Sequence, residues 1–523
     1  MNKINRVILS IIDDVQAGHF FNFINKGMLP NFKRLMENGI YSSNCVTDFP
    51  SITYPAQVSI ITGTYTGDYL KEPCHGVPLF NWMGRDVSPP FLRCYGSNRL
   101  EVYKINKDMG VNCRTLLEMV GEGNTTSISQ FINRGSNYIY PDYKMKLILY
   151  YLLLKYTRNL KKTLYRLNTW AIYKLLENFK KPKKFFGYNE PPIASLLWFP
   201  SSDILLHLFG FESKQYKFNL IHIDKVFGIL INELKKLGYL DDTAIAIIAD
   251  HGNYKANQVG DLTSFFKRNS LTHYHPRKNP MGNMNLAEFG GVGFFNFKGS
   301  NNSIQKYDWT RPTIAELEKY GPKKINLFDK LFQIEGSHLM YYRDDNNSYK
   351  RGKIYLRRYD KRKGKKVSGT LEYQGTGFEY KTKYLFESDE DIFGYVKDET
   401  ASKCLDNKFH STREWMEATC KLDYPMYPDL IPRHLKNPRS SDIIVSNDGS
   451  IVFNIEHGKR KNENIYSHDL GLRTNAIVPL IIGGSEEISK KEIKCCKTTD
   501  LVPTLLKMLG KKPHKSVVGE ALI

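Results

Sequence analysis

Residues 6–14 read RVILSIIDD and residues 243–252 read TAIAIIADHG, and each is a short apolar run that stops at an aspartate. Six or seven such residues without strict alternation predict a strand buried on both faces. The first run leads into a helical stretch around 16–38, and a helical segment at 221–237 precedes the second. A third run, IVPLII at 477–482, meets Gly483-Gly484 and then a final helix near 498–509. Strands alternating with helices predict an α/β fold: a central, mostly parallel sheet with helices on both faces. Ligands of such sheets lie beyond the carboxyl ends of the strands, where Asp13 and Asp250 fall.

Working outward from those two ends, five pieces carry chemistry. Asp13 closes the first strand, residues 48–63 read DFPSITYPAQVSIITG, and Asp203 and His207 lie in SSDILLHLFG. Asp250 and His251 close a strand as ADHG, and His468 sits in SHDLGL. Three aspartates and three histidines at strand and loop ends suit one or two divalent cations. Asp203 and His207, four apart, share a helix face. Two ions about 4 Å apart would activate a nucleophile and steady a leaving oxygen. Taken singly the pieces are weak: an aspartate at a strand end is usually a cap or turn residue. Their joint order is the signal.

That order resembles the alkaline phosphatase superfamily, and within it the type I phosphodiesterase/nucleotide pyrophosphatase family, over about 1–95, 195–255 and 440–523. The resemblance implies an α/β/α sandwich with an inserted cap, and two metal ions. One would be held by Asp13, Asp250, His251 and the nucleophile, the other by Asp203, His207 and His468. Thr53, in SITYPAQ, falls where the family places its nucleophilic threonine. HGVPLFN at 75–81 matches a family stretch with one extra residue, so that Asn81 would donate to the phosphoryl oxygens beside the Thr53 backbone N–H. Two positions depart from the family: Asp14 and Asp469 stand where glycine is usual, and the ligand of the first strand is Asp13 or, one register along, Asp14. A sulfatase does not fit, because Thr53 cannot become formylglycine and Gln57 replaces the required arginine.

The expected chemistry is hydrolysis of a phosphodiester or pyrophosphate through a phospho-threonine, with zinc as the metal and manganese as the alternative. A phosphomonoesterase or phosphotransferase on the same core is the second reading. A non-catalytic metal-holding scaffold binding anionic surfaces is the third, and the complete ligand set with Thr53 speaks against it. His457 is the reserve for His468. His273 and His275 read as surface histidines near the pocket mouth, His222 as a packing residue, and Asp224 matches a family aspartate of underived role.

Of 523 residues, 41% are hydrophobic and 25% charged, the composition of an ordinary globular protein. The net charge of +21 is concentrated: 143–184 contributes +11 and 343–366 contributes +8. The first segment, with Leu160, Leu164, Leu167, Ala171 and Leu175 at helical spacing and Tyr143, Tyr150, Tyr151, Trp170 and Tyr173 among its lysines, suits a solvated helix or an anionic membrane surface. The second, within hairpins over 343–385, suits a polyphosphate backbone, although no nucleic-acid module is recognisable. The expected organisation is a core of 1–252 and 438–523 with a cap at 253–437. The longest apolar run, 147–154, is too short to cross a membrane, and Val7 to Ile12 lacks the features of a signal peptide. Eight cysteines without a CxxC pair point to reduced thiols and a cytoplasmic location, with a position peripheral to a membrane as the option the basic helical segment adds; Cys495 and Cys496 read as small buried residues. The expected partners are small-molecule or lipid phosphoesters.

Overall fold

The computed structural model describes the chain except residues 1–3, 70–74, 97–100, 143–147, 150–151, 155, 289, 301–308, 361–363, 388–389 and 455–464. Tyr143, Tyr150, Tyr151 and His457 therefore lie outside the described residues. The apolar run at 6–12 is a strand, Arg6–Ile12, buried from Val7 onward. It lies in a nine-stranded sheet whose order runs Lys491–Glu492, Ile40–Val46, Ile477–Gly484, Thr243–Ile248, Arg6–Ile12, Ala194–Phe199, Thr125–Ile128 and Tyr138–Tyr140, with Cys496–Lys497 also pairing to Ile40–Val46. Only Ile477–Gly484 runs antiparallel to its neighbours among these described strands. The remaining pairings are parallel.

Continuous Val/Ile/Leu runs form these strands because helices cover the sheet. Phe20 and Ile24 of the Ala17–Asn25 helix and Leu220, Ile223, Phe227 and Leu230 of the Lys214–Lys236 helix are buried. Each such side chain contributes about 1.5–3 kcal/mol by leaving water. Asp224, on the same helix, caps the Pro30–Glu37 helix: its carboxylate accepts from the backbone N–H groups of Asn31 at 3.3 Å and Phe32 at 2.8 Å. The spaced leucines of the basic segment give the Leu160–Lys180 helix, which Asn159 caps by accepting from the Lys162 N–H. No described helix is long and apolar enough to cross a membrane.

A second sheet of eight antiparallel strands stands apart, with the order Met284–Glu288, Val292–Phe297, Ile443–Asn447, Ser337–Arg343, Arg351–Asp360, Lys365–Gln374, Lys381–Phe386 and His410–Ser411. It contains the basic hairpins. Ile443–Asn447, beyond the expected cap boundary at 437, pairs with Val292–Phe297 and Ser337–Arg343 of this second sheet.

The cysteine reading is corrected. Cys420 and Cys495 form a disulfide with Cα atoms 6.3 Å apart, so Cys495 is not a free thiol. Cys496 is free and buried.

Candidate metal centre

Register assembles the site. Ile12 lies opposite Phe199, and Ile11 opposite Ile248, so three adjacent parallel strands end side by side. Asp13 leaves the middle strand, Asp250 leaves one neighbour, and the other passes through Pro200 into the Ser201–Phe209 helix. Asp203 occupies the first turn of that helix and His207 the next. Thr53 is the first residue of the Thr53–Thr62 helix, every residue of which is buried. The glycine of ADHG is required by close approach: a Cβ on Gly252 would lie 2.3 Å from the Thr474 carbonyl oxygen. Its N–H donates to the Asn475 carbonyl at 2.7 Å, which fixes the turn that carries His251.

Two groups of ligand-type atoms result. Asp13, Asp250 and His251 offer one atom each within 4.8 Å of one another, and so do Asp203, His207 and His468. Thr53 Oγ1 is 3.2 Å from His251 Nε2. The His251 and His468 ring centroids are 4.1 Å apart, and those of His207 and His468 are 5.3 Å apart, so the groups adjoin.

The donor set fits two cations. Asp13 Oδ1 and His468 Nδ1 are buried and make no hydrogen bond among the described residues, an arrangement that costs free energy unless a ligand is present. Burial, then the Asp250 and Asp203 carboxylates, pushes Asp13 well above the usual carboxylate range. Burial would lower His207, but Asp203, 3.1 Å away, raises it to about 9. Burial would likewise raise Asp203, yet His207, His468 and His251 hold it below its ordinary value. Burial, reinforced by His251 and His207, lowers His468. Carboxylates and imidazoles crowded this closely lose their mutual repulsion to a divalent cation.

A supporting shell orients the ligands. The Trp198 indole N–H donates to Asp13 Oδ2 at 2.9 Å, and the Gln57 amide donates to Asp250 Oδ2 at 2.7 Å. Gln130 in turn donates to Gln57 Oε1 at 3.0 Å. His251 Nδ1 is 3.2 Å from the Gly252 carbonyl, which places the proton on Nδ1 and turns Nε2 toward Asp13 and Thr53. His207 Nδ1 meets the Tyr466 carbonyl at 3.2 Å in the same manner.

The structure gathers Asp13 rather than Asp14 with Asp250 and His251. The Asp14 side chain instead accepts from Asn253 Nδ2 at 2.7 Å, and its N–H donates to Asp250 Oδ1 at 3.1 Å. Burial raises the Asp14 carboxyl to about 6. Asp14 has φ +56° and Asp469 has φ +77°. Both positions adopt the left-handed backbone that favours glycine, and both aspartates anchor it: the Asp469 carboxylate accepts from the Gly291 N–H at 2.8 Å. Asn81 begins the Asn81–Gly84 strand, next to Phe80, whose ring stacks 5.2 Å from that of Tyr54. His75 is buried and joins the Thr53–Thr62 helix through the Pro55 carbonyl at 2.9 Å.

His273 and His275 lie outside both groups. His273 accepts from the Leu286 N–H at 3.2 Å, and His222 stacks on Tyr165 at 4.3 Å. Gln57, Gln130, Trp198 and Asn253 were not identified from sequence as part of the site. Only Gln57 carried a signal: it lies four residues after Thr53, on the same helix face.

The family model described as type I phosphodiesterase/nucleotide pyrophosphatase matches residues 7–308. An uncharacterized pyrophosphatase/phosphodiesterase of Schizosaccharomyces pombe is 24% identical over 275 residues, 51% of this chain. The match spans about half of that relative, 49% of its length. Among solved structures, murine ectonucleotide pyrophosphatase/phosphodiesterase 5, an inactive threonine-to-alanine form in complex with AMP, superposes with a TM-score of 0.56 at 12% identity, covering 97% of this chain and 96% of that one. The human protein of the same name gives 0.56 at 13% identity, covering 97% and 95%. This likeness shows an alkaline phosphatase-like α/β fold with a central, mostly parallel sheet. With more than half of its length matched by the family model, the chain belongs to the type I phosphodiesterase/nucleotide pyrophosphatase family.

Proposed function

We propose that the protein is a two-metal phosphoesterase that hydrolyses phosphodiester or pyrophosphate bonds through a phospho-threonine at Thr53. The observation that carries the reading is the position of Thr53 Oγ1, buried at a helix N-terminus and 3.2 Å from His251 Nε2. Asp13, Asp250, His251 and Thr53 would hold one cation, and Asp203, His207 and His468 the other. Zinc suits this mix of imidazole and carboxylate, with manganese as the alternative. When bound, the pair would lower the pKa of the threonine hydroxyl and neutralise charge on the phosphoryl oxygens.

The protein groups then perform the transfer. Thr53 Oγ1 would attack phosphorus in line: the Oγ1–P bond forms as the bond to the leaving oxygen breaks, that oxygen departs with the electron pair, and the hydroxyl proton passes to it through solvent. The Thr53 backbone N–H, at the N-terminus of its helix, and the Asn81 amide donate to the non-bridging oxygens. Water next attacks the phospho-threonine, releasing the phosphoryl product and restoring the hydroxyl. The Asp14 and Gln57 bonds hold Asp250 in place throughout, and Trp198 holds Asp13.

The test is Thr53→Ala. Zinc-loaded variant should lose at least ~10³-fold in turnover of bis-p-nitrophenyl phosphate while mass spectrometry finds the metal content of the parent. Parental turnover in the variant would overturn the assignment of the nucleophile.

A further inference from the structure

The Leu160–Lys180 helix turns one face inward and leaves the other uncovered. Leu164, Ala171, Ile172 and Leu175 are buried on the inner face. There the buried Asn168 side chain donates to Ser201 Oγ at 2.9 Å and to Asn219 Oδ1 at 3.2 Å, which fixes the helix to the Ser201–Phe209 and Lys214–Lys236 helices behind it. On the outer face Lys162, Arg166, Trp170 and Tyr173 follow one another at spacings of four, four and three, and all four are exposed.

Two properties coincide on that outer face. The first is apolar surface. Of the sixteen large apolar or aromatic side chains exposed among the described residues, six are Leu149, Leu152, Leu153, Tyr156, Trp170 and Tyr173, so one short segment holds more than a third of the total. Phe218 joins them, because Lys161 Nζ lies 5.1 Å from its ring centroid and 5.5 Å from that of Tyr165. Leu153, Lys161, Arg166, Trp170 and Tyr173 line one surface groove of about 810 Å³. The second property is charge. Glu177 is the sole acid within 143–184, and Lys174 already pairs with it at 2.7 Å. Arg158, Lys161, Lys162 and Arg166 make no ion pair among the described residues.

A merely solvated face does not explain the leucines and aromatics, which a monomer rarely gathers in one exposed patch. A protein partner does not explain the lysines, in which protein interfaces are depleted. An anionic bilayer explains both. Trp and Tyr rings rest at the headgroup level, leucines enter the acyl boundary, and Lys and Arg lay their stems along apolar surface with the charge at the lipid phosphates.

We propose that the outer face of the Leu160–Lys180 helix, together with the exposed leucines at 149, 152 and 153, is a docking surface for an anionic lipid bilayer. The assignment is independent of the chemistry at Thr53 and adds a partner to it. Because Asn168 ties this helix to Ser201, two residues before Asp203, the docked protein holds its candidate metal centre at a fixed distance from the lipid.

The experiment is co-sedimentation of the full chain with phosphatidylcholine vesicles, with and without about 30% phosphatidylserine. Partition onto the anionic vesicles should be at least about tenfold stronger, and should fall as salt rises from about 0.1 M to about 0.5 M. Lys161→Gln, Lys162→Gln and Arg166→Gln combined should weaken it about 100-fold, at roughly fivefold per cation. Trp170→Ala with Tyr173→Ala should weaken it at least about tenfold. Both variants should keep the parental urea midpoint and the parental turnover of bis-p-nitrophenyl phosphate in free solution. Anionic vesicles should shift tryptophan emission to the blue in the parent and not in Trp170→Phe. Equal partition onto neutral and anionic vesicles, or parental partition in both variants, would overturn the assignment. Binding to an oligothymidylate without binding to either vesicle would overturn it in favour of a nucleic-acid surface.

Discussion

Gln57 shows how one neutral side chain sustains a charged site. It donates to Asp250 Oδ2 and is itself held by Gln130, so the Asp250 carboxylate is fixed beside Asp13 and His251 in a group that could hold a cation. Removing such a bond from a ligand typically weakens metal affinity about 10–100-fold. Gln57→Leu should therefore lose affinity in that range, read by competition with a chromogenic chelator. Gln57→Glu should lose more, since it sets a second carboxylate against Asp250, and unchanged affinity in both variants would show that Asp250 needs no orienting partner. At this scale the two groups of candidate ligands were legible, because aspartate and histidine at strand ends are chemically distinctive. The two departures from glycine were visible in sequence but not interpretable there, since only the backbone shows that Asp14 and Asp469 occupy positive φ. Apart from the spacing of Gln57 from Thr53, the orienting groups were not legible, because a glutamine or tryptophan inside an apolar run looks the same whether it bonds a candidate ligand or fills a core.

At the scale of elements, the helix Tyr427–Lys436 buries His434 with neither ring nitrogen hydrogen-bonded among the described residues. Phe49 and Phe294 meet the ring edge-on at 5.9 and 5.7 Å. Burial lowers His434 to about 3, assisted by Arg343 and His75. The folded-state value lies below that of an unfolded histidine, near 6.5, so between these values the unfolded chain binds the extra proton. Stability from this group is complete above pH 6.5 and falls as pH drops toward 3, by on the order of 2 kcal/mol at pH 5. His434→Leu should remove that component: urea midpoints at pH 7.5 and pH 5 should differ less in the variant than in the parent, and equal differences would show that His434 is not buried neutral. Element type was largely legible from periodicity. Partner choice was not, and Ile443–Asn447 is the instructive case. Its Ile-Ile-Val core has the composition of a first-sheet strand, and only long-range pairing with Val292–Phe297 and Ser337–Arg343 places it in the second sheet.

For the whole molecule, the concentrated charge has two fates. The hairpin segment meets local acids: Lys353 and Lys383 both reach Glu372, Arg358 reaches Glu390, and Lys366 reaches Asp329. The helical segment lines, through Leu164, Leu167 and Ala171, an apolar cavity whose other residues include Tyr54 and Trp198, so composition could measure its charge but not locate it. The disulfide was equally illegible, because Cys420 and Cys495 are 75 residues apart and only the fold brings them together. Cys420 ends the helix Thr412–Thr419, while Cys495 immediately precedes the Cys496–Lys497 strand of the first sheet. The bond thus fastens the chain leaving the second sheet to the edge of the first, and the Arg473 guanidinium donates to the Cys420 carbonyl at 2.5 Å beside it. Closing a loop of this length removes denatured-state entropy worth about 4 kcal/mol. Replacing both cysteines by serine should lower the free energy of unfolding by about 2–4 kcal/mol, reductant should do the same to the parent, and reductant should leave the double variant unchanged. Alkylation of denatured protein, counted by mass, should gain two labels on reduction in the parent and none in the variant; equal counts would show that the pair is not bonded. Because no metal ligand belongs to the closed loop's anchors, phosphodiester turnover in the double variant should match the parent at temperatures below its own transition, separating fastening of the two sheets from chemistry at the first.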